Sequence, residues 1–503
     1  MELNGKVTHF LVVSCVMAIS GGLMFGYDVG ITGGVMLMDD FLMKFFPEVY
    51  ERKSWNPKDL DSIYCKYNDV KLQLFTSFLY LPGVLATLFA SHSNREMGRK
   101  PTMVIAGVLY LTGLGFTVSA QYLCFLILGR FLSGWGIVMA NQTVPIFLSE
   151  IAPSEIRHGL NITLTFISVI FGIIIASLVN YGNNQWIKFG WGWRLSLGLG
   201  GIPALILIIG CFFILETPNS LIERGCLQES KTVLRRIRGI DDIKEEYDEV
   251  YLKTCEKAVE HPYRNLFKRR NRLPLVIVAL FQMFQQFTGI NVVIFYGPLF
   301  FNTLGFGNEG SLISVIIISC VYLIATMISI YHFYDIGRRL LLVQAGVQML
   351  LGLVGIAIIL FFKVPDHSSG LGMTYEFLLV VLVCVFVSAF AWSWGALGWW
   401  IPPETFPVEA SLAAQIFTSC VNLLFTFAIA QASLSMFCYL KFGIFLFFAG
   451  WVMVMTAFVI FFLPEMKDYP VAELSNEAWR NHWFWKKFDD ENLPPRRRTR
   501  RTG

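Results

Sequence analysis

Charge is what this chain lacks. Of its 503 residues only 15% are Asp, Glu, Lys or Arg, while 55% are apolar. Soluble globular proteins carry roughly 25% charged residues. With a mean hydropathy of +0.57, a chain this long has too little polar surface for a water-soluble fold. A soluble enzyme, a nucleic-acid reader and a disordered hub are therefore excluded as primary readings. The ten cysteines are scattered, with no C-x-x-C pair and no His at ligand spacing, which argues against a disulfide framework and against zinc. No nucleophile–base pair, phosphate loop or ATP-binding module is visible, so neither an enzyme nor a cofactor is expected. The net charge of +4 is too small to point to a partner.

Long apolar runs are abundant instead. A membrane-crossing helix needs about 20 mostly apolar residues, and twelve such runs lie between 9 and 463. The first, 9–32, is too long for a signal-peptide core and carries Asp28, so no cleavable signal is expected. Lys and Arg gather in alternate loops: Arg95, Arg99 and Lys100 after the second run, a dense set within 216–272, Arg338 and Arg339 after the eighth, and the tail from Arg496. The positive-inside rule then places these loops and both termini in the cytosol, and loop 33–71 outside.

The two halves repeat one another. Glu150-x-x-Pro153-x-Glu155 recurs as Glu404-x-x-Pro407-x-Glu409, and Gly98-Arg99-Lys100 as Gly337-Arg338-Arg339. A Glu beside a Pro closes each half, at Glu216 and at Glu465. Such self-similarity signals a duplicated six-helix bundle. The expected fold is an all-α membrane protein with twelve transmembrane helices in two six-helix bundles. The first bundle is read over 1–215 with outer loop 33–71, and the second over 273–463. Cytosolic linker helices over 216–272 join them, and a cytosolic tail covers 464–503. The duplicated charge clusters are expected to pair across the gap between halves when that face is shut.

Charges inside spans are expensive and usually functional. Asp28, near the end of the first span, and Arg130, near the start of the fourth, fall in the same outer half of the first bundle. Paired, they give a carboxylate whose proton affinity depends on the distance to a guanidinium; a static ion pair joining two helices is the competing reading. The seventh span carries Gln282, Gln285, Gln286 and Asn291 around Gly289. Amides both donate and accept, which suits an uncharged polyhydroxyl substrate, although amides also join helices in membranes. The tenth span carries Trp392-Ser393-Trp394-Gly395, then Trp399 and Trp400, where an indole can stack on a sugar ring or belong to an interfacial belt. Gln415 and Asn422 add amides in the eleventh.

These motifs, together with Gly26-Tyr27-Asp28-Val29-Gly30, Asn141-Gln142-x-x-Pro145, Pro218-Asn219-Ser220 and Phe295-Tyr296, resemble the sugar porter branch of the major facilitator superfamily. Lys44-Phe45-Phe46-Pro47-Glu48-Val49-Tyr50, Tyr64-Cys65-Lys66-Tyr67 and Trp479-Arg480-Asn481-His482-Trp483-Phe484-Trp485 resemble the plant proton/monosaccharide symporters. The resemblance covers nearly the whole chain. It implies alternating access and proton-driven hexose import at the plasma membrane. The implied partners are a sugar, the proton and the surrounding lipid, with no nucleic acid; it says nothing of oligomeric state. By position, Asp28 matches the family's proton site and Arg130 its partner. Phe25, Gln285, Gln286, Asn291, Trp399 and Asn422 match residues at the sugar site. Arg99, Glu150, Arg157, Arg338 and Glu404 match the cytosolic charge network, which Glu216 and Glu465 are expected to join. Cys65 and Cys438 match a disulfide pair.

The departures bear on substrate. Thr165 stands where the family has a sugar-binding Gln, Tyr322 where it has Asn, and Ser411 where an Arg of the inner latch is expected. Losing one amide that bonds a hydroxyl costs about 0.5–1.5 kcal/mol. A diverged carrier with altered substrate, uncoupled or weak transport, or a non-transporting sugar sensor, therefore stand as alternatives to proton-coupled hexose import.

Overall fold

The computed structural model describes residues 9–55, 62–152, 157–187, 190–239, 243–257, 262–332, 337–364, 371–395, 397–399, 406 and 408–463. Every regular element among them is helical. Twelve helices are long and apolar enough to cross a membrane: Val12–Val35, Val70–Glu96, Arg99–Val118, Leu123–Ile151, Leu164–Trp186, Gly192–Cys211, Pro274–Thr303, Gly307–Ile330, Arg338–Lys363, Met373–Trp399, Leu412–Leu440 and Gly443–Phe462. They are called the first to twelfth spans below. Their outward faces carry large apolar side chains such as Phe212, Leu351, Phe361 and Phe377, which only lipid would cover.

Two apolar cores lie inside. One gathers Met24, Phe75, Tyr110, Phe147 and Trp193, from the first six spans. The other gathers Phe281, Phe301, Met349, Phe386 and Met455, from the last six. The first and fifth spans touch backbone to backbone in the first core. A Cβ on Gly26 would lie 1.9 Å from the Val169 carbonyl oxygen, so only glycine allows this approach. Small residues at crossings are how membrane helices pack without a hydrophobic drive between them.

Several spans are interrupted, and the interruptions matter for the site. The second consists of Val70–Ser77 and Leu81–Glu96, with Pro82 opening the second piece. The seventh consists of Arg269–Phe287 and Ile290–Thr303, joined at Gly289 with φ 85°. That left-handed conformation suits glycine. The tenth runs as an α-helix over Met373–Phe390 and then widens into a π-turn over Ala391–Gly395. Backbone groups freed at such breaks need internal partners, since lipid offers none.

One face carries the segment between the first two spans, here the loop face. It folds into helices Asp39–Phe45 and Pro47–Ser54, whose Phe41 and Phe45 pack against Trp193 at 5.7 and 5.4 Å between centroids. Sequence gave this segment only as a long loop. Cys65 within it is disulfide-bonded to Cys438 at the end of the eleventh span.

The opposite, basic face carries the linker helices Pro218–Glu223, Leu227–Arg238, Lys244–Lys257 and Pro262–Leu266. Leu227–Arg238 is amphipathic as expected: Val233, Leu234 and Ile237 are buried, while Lys231, Arg235 and Arg236 are exposed. Its Arg238 donates to the Ile151 carbonyl at 2.8 Å and pairs with Glu246. It thereby satisfies an orphan carbonyl at the end of the fourth span.

Replacing Gly26 by Val must push the first and fifth spans apart. The expected result is a loss of about 1–3 kcal/mol or more, read as a lower melting temperature of the detergent-purified protein. An unchanged melting temperature would refute the close backbone contact.

Candidate functional site

The charged part of the site lies in the first half. Asp28 and Arg130 are each 2% exposed. Arg130 Nη1 donates to both Asp28 carboxylate oxygens at 3.0 Å, and its Nη2 donates to Thr32 Oγ1 at 3.0 Å. Thr32 sits one turn after Asp28 and donates its own proton to the Asp28 carbonyl at 2.8 Å. The guanidinium lies 4.1 Å from the centre of the Phe75 ring. Either charge alone would be costly to bury; pairing and the added bonds offset that cost. Thr32 and Phe75 were not singled out in the sequence. A Thr at i+4 from a membrane carboxylate was the available signal for the first, and Phe75 offered none.

The neutral part lies in the second half. Gln282 and Gln285, three apart on one helical face, reach across to the broken end of the tenth span. Gln282 Nε2 donates to the Gly398 carbonyl at 2.6 Å, and Gln285 Nε2 to the Trp394 carbonyl at 2.9 Å. Asn422 of the eleventh span donates to both of their side-chain oxygens, at 2.7 and 3.0 Å. Three spans are thus clipped together by three carboxamides. Gln286 diverges from its neighbour, as adjacent helical residues must, and accepts from Asn291 across the Gly289 break.

Other expected site residues have different neighbours. Phe25 packs on the first apolar core. The Thr165 carbonyl accepts from Ser168 Oγ at 2.8 Å. Tyr322 meets Phe390 edge-on at 6.5 Å, and Trp399 is half-buried. Trp394, one of the indoles considered for stacking on a sugar, is fully buried and stacks on Phe281 at 4.5 Å; in this state it is core. Trp400 lies outside the described residues.

On the loop face the halves are joined by neutral hydrogen bonds and one ammonium. Ser77 Oγ donates to Gln431 Oε1 at 2.6 Å, and Gln73 Nε2 to Ser435 Oγ at 2.9 Å. Each pair lies one helical turn from the other on both antiparallel helices. Ser435 in turn donates to Asn68 at 3.0 Å. Asn302 Oδ1 accepts from Tyr67 at 2.6 Å and from the Lys66 ammonium at 3.2 Å. Burial lowers Lys66 to about 8, with nearby Lys53 adding to the effect and Asp39 opposing it; it remains a cation near neutral pH. Tyr80 stacks on Phe295 at 5.4 Å.

The basic face is built from charge. Arg99 pairs with Glu150 at 2.7 Å and with Glu223 at 2.5 Å. The Glu216 carboxylate accepts from the backbone N–H groups of Arg99 and Lys100, a favourable anion at a helix N-terminus, and it approaches Arg224 at 3.8 Å. The described partners of Arg99 come from its own half and from the start of the linker. Glu223 and Arg224 were missed in the sequence. Arg338 opens the ninth span. The Arg157 and Ser411 side chains, and Glu404 and Glu465 altogether, lie outside the described residues.

Comparison with known proteins fits this architecture. The chain is 54% identical over 492 residues to Sugar transport protein MST4 of Oryza sativa subsp. japonica, covering 98% of this chain and 94% of that one. It is 55% identical over 493 residues to Sugar transport protein 13 of Arabidopsis thaliana, with 98% and 93% covered. Among solved structures, the inward open conformation of the xylose transporter XylE from E. coli superposes with a TM-score of 0.75 at 21% identity, covering 92% of this chain and 99% of that one. The partially occluded inward open conformation of XylE gives 0.73 at 20% identity, with 92% and 100% covered. The fold is that of the major facilitator superfamily, twelve spans in two bundles. The family described as "Sugar (and other) transporter" matches residues 14–478, and this multi-pass membrane chain belongs to it.

Proposed function

We propose that this protein imports monosaccharides with protons across the plasma membrane, with its loop face outside and both termini in the cytosol. The observation that carries the reading is the buried Asp28–Arg130 pair, a titratable group shut away from water beside a fixed cation. The relatives in Oryza sativa subsp. japonica and Arabidopsis thaliana, both named sugar transport proteins, support the substrate class. The division into bundles 1–215 and 273–463, linker 216–272 and tail 464–503 belongs to the same proposal.

Each residue set has a task in it. Asp28 takes a proton from the outer side and becomes neutral. Its hold on Arg130 weakens, and the two halves are freed to part at the loop face. Gln282, Gln285, Gln286, Asn291 and Asn422 exchange bonds among themselves for bonds to sugar hydroxyls. A swap of this kind gains only about 0.5–1.5 kcal/mol per bond, which permits release on the far side. Phe25, Thr165, Tyr322 and Trp399 shape the rest of the pocket. Arg99, Glu150, Arg157, Glu216, Arg338, Glu404 and Glu465 close the cytosolic face when the outer face opens. The proton brings the driving force: a unit charge crossing the membrane gains about 2.3 kcal/mol per 100 mV.

In a transporter-deficient host, wild-type protein should accumulate a labelled hexose against its gradient, and a protonophore should abolish this. Asp28→Asn should remove pH-dependent accumulation while leaving the protein at the cell surface. Concentrative uptake that persists in this variant would refute the proton site.

A second reading, a carrier whose substrate has diverged, is favoured by Tyr322 against Phe390 and by Thr165 in place of an amide. The double variant Thr165→Gln, Tyr322→Asn should then raise hexose uptake at low sugar concentration, by up to about tenfold for each hydrogen bond regained. No gain in a hexose panel would dismiss this reading.

A further inference from the structure

We propose that Phe75 and Thr32 form a second seat for the Arg130 guanidinium, which holds the arginine in place while Asp28 carries its proton. This rests on the reading of Asp28 as the proton site. Arg130 is buried, and its only carboxylate partner among the described residues is Asp28. Once that carboxylate is protonated, the cation is left unpaired in a dry interior, a state proteins avoid. Without another place for the charge, the proton would be expelled again.

The geometry supplies that place. Nη2 already donates to Thr32 Oγ1 at 3.0 Å. Because the Thr32 hydroxyl spends its proton on the Asp28 carbonyl, it can only accept from Arg130. The flat face of the guanidinium sits 4.1 Å from the Phe75 ring centre, within the range of a cation–π contact, which is stronger where water is excluded. Phe75 is itself fully buried and wedged by Phe41 at 5.2 Å, so the ring does not drift. Neither contact involves the carboxylate, and both take a larger share of the guanidinium once the neutral carboxyl no longer competes for it, so they favour the protonated state. Asp28 gains a proton and loses a charge; Arg130 keeps its charge and its position.

The seat is also tied to the loop-face seal. Phe75 lies on helix Val70–Ser77 between Gln73 and Ser77, whose side chains bond Ser435 and Gln431. The seal and the seat therefore share one short helix. Other titratable groups facing the pair are phenols: Tyr27 on the first span, Tyr80 on the second and Tyr110 on the third. Phenols ordinarily ionise near pH 10, so they add no competing charge in the working range.

The test is the pH profile of hexose uptake by the full-length chain in a transporter-deficient host. Phe75→Leu keeps the bulk and removes the π face. Its half-maximal uptake should move to lower external pH by about half to one unit, a three- to tenfold loss of proton affinity. The change should appear in the pH midpoint more than in the sugar KM at the acid plateau. Phe75→Tyr should restore the midpoint. Thr32→Val should shift it in the same direction and Thr32→Ser should restore it, which covers the case in which Phe75→Leu fails to reach the membrane. A wild-type midpoint in both Phe75→Leu and Thr32→Val, or a shift in Phe75→Tyr as large as in Phe75→Leu, would overturn the second seat. Loss of accumulation in Asp28→Asn alongside such a result would overturn the seat alone. Persistence of accumulation in Asp28→Asn would overturn the proton site beneath it.

Discussion

A guanidinium held against a carboxylate, with water kept out, is the interaction on which this molecule turns. In water two such charges at contact attract by only about 1 kcal/mol; in a protein interior the attraction and the cost of parting them both grow severalfold. The fold is arranged to keep the Asp28–Arg130 pair dry. Gly26, two residues before Asp28, lets the first span nest on the fifth backbone to backbone. Phe41 of the loop-face helices packs on Phe75, which in turn covers Arg130. Sequence sets the small residue and the aromatic stack, these set the packing, and the packing sets the dielectric in which protonation has mechanical consequences.

The second half uses different physics for a different task. The polar groups of its site are carboxamides, and they satisfy one another: Asn422 bridges Gln282 and Gln285, which anchor to carbonyls exposed where the tenth span widens. Such a cluster is stable when empty yet exchangeable, because each bond is neutral and worth about the same when made to a sugar hydroxyl. The duplicated sequence therefore does not yield a duplicated site. The repeat survives at the basic face, where Glu150 and Arg99 have counterparts in Glu404 and Arg338, and is lost midway through the membrane, where one half holds charge and the other holds amides.

Much of the fold could be read from the chain alone, because a span of apolar residues has few other fates and because basic loops mark one face. The pair of Asp28 and Arg130 was also legible, since two charges at the same depth in a six-helix bundle have few other partners. What lay beyond reach were contacts between spans whose spacing along the chain carries no signal. Phe75 is one apolar residue among many in its span. Glu223 falls in a linker rich in charge, and nothing in its spacing assigns it to Arg99. Trp394 looked like a sugar platform from its glycine-rich surroundings, yet the π-turn there directs it onto Phe281. Side-chain direction at a helix break is fixed by the break's geometry, which local sequence specifies poorly.

The two faces of the molecule use unlike polar contacts, and the difference has a consequence. The loop-face seal is made of short neutral hydrogen bonds, Ser77 to Gln431 and Gln73 to Ser435, each of which water can replace at little net cost. The basic face carries ion pairs within the first half and the linker, Arg99 with Glu150 and Glu223, which lose more when separated. An outer seal of this kind opens readily once the halves are biased to part. The Cys65–Cys438 bond, however, fixes the loop-face segment to the end of the eleventh span and cannot part in the cycle. In the proposed cycle the halves are therefore restrained at that bond and freer to part at the Ser77–Gln431 contact between the second and eleventh spans. The helix bordering that contact is the one carrying Phe75, so the proposed passage for sugar and the surroundings of Arg130 share one element.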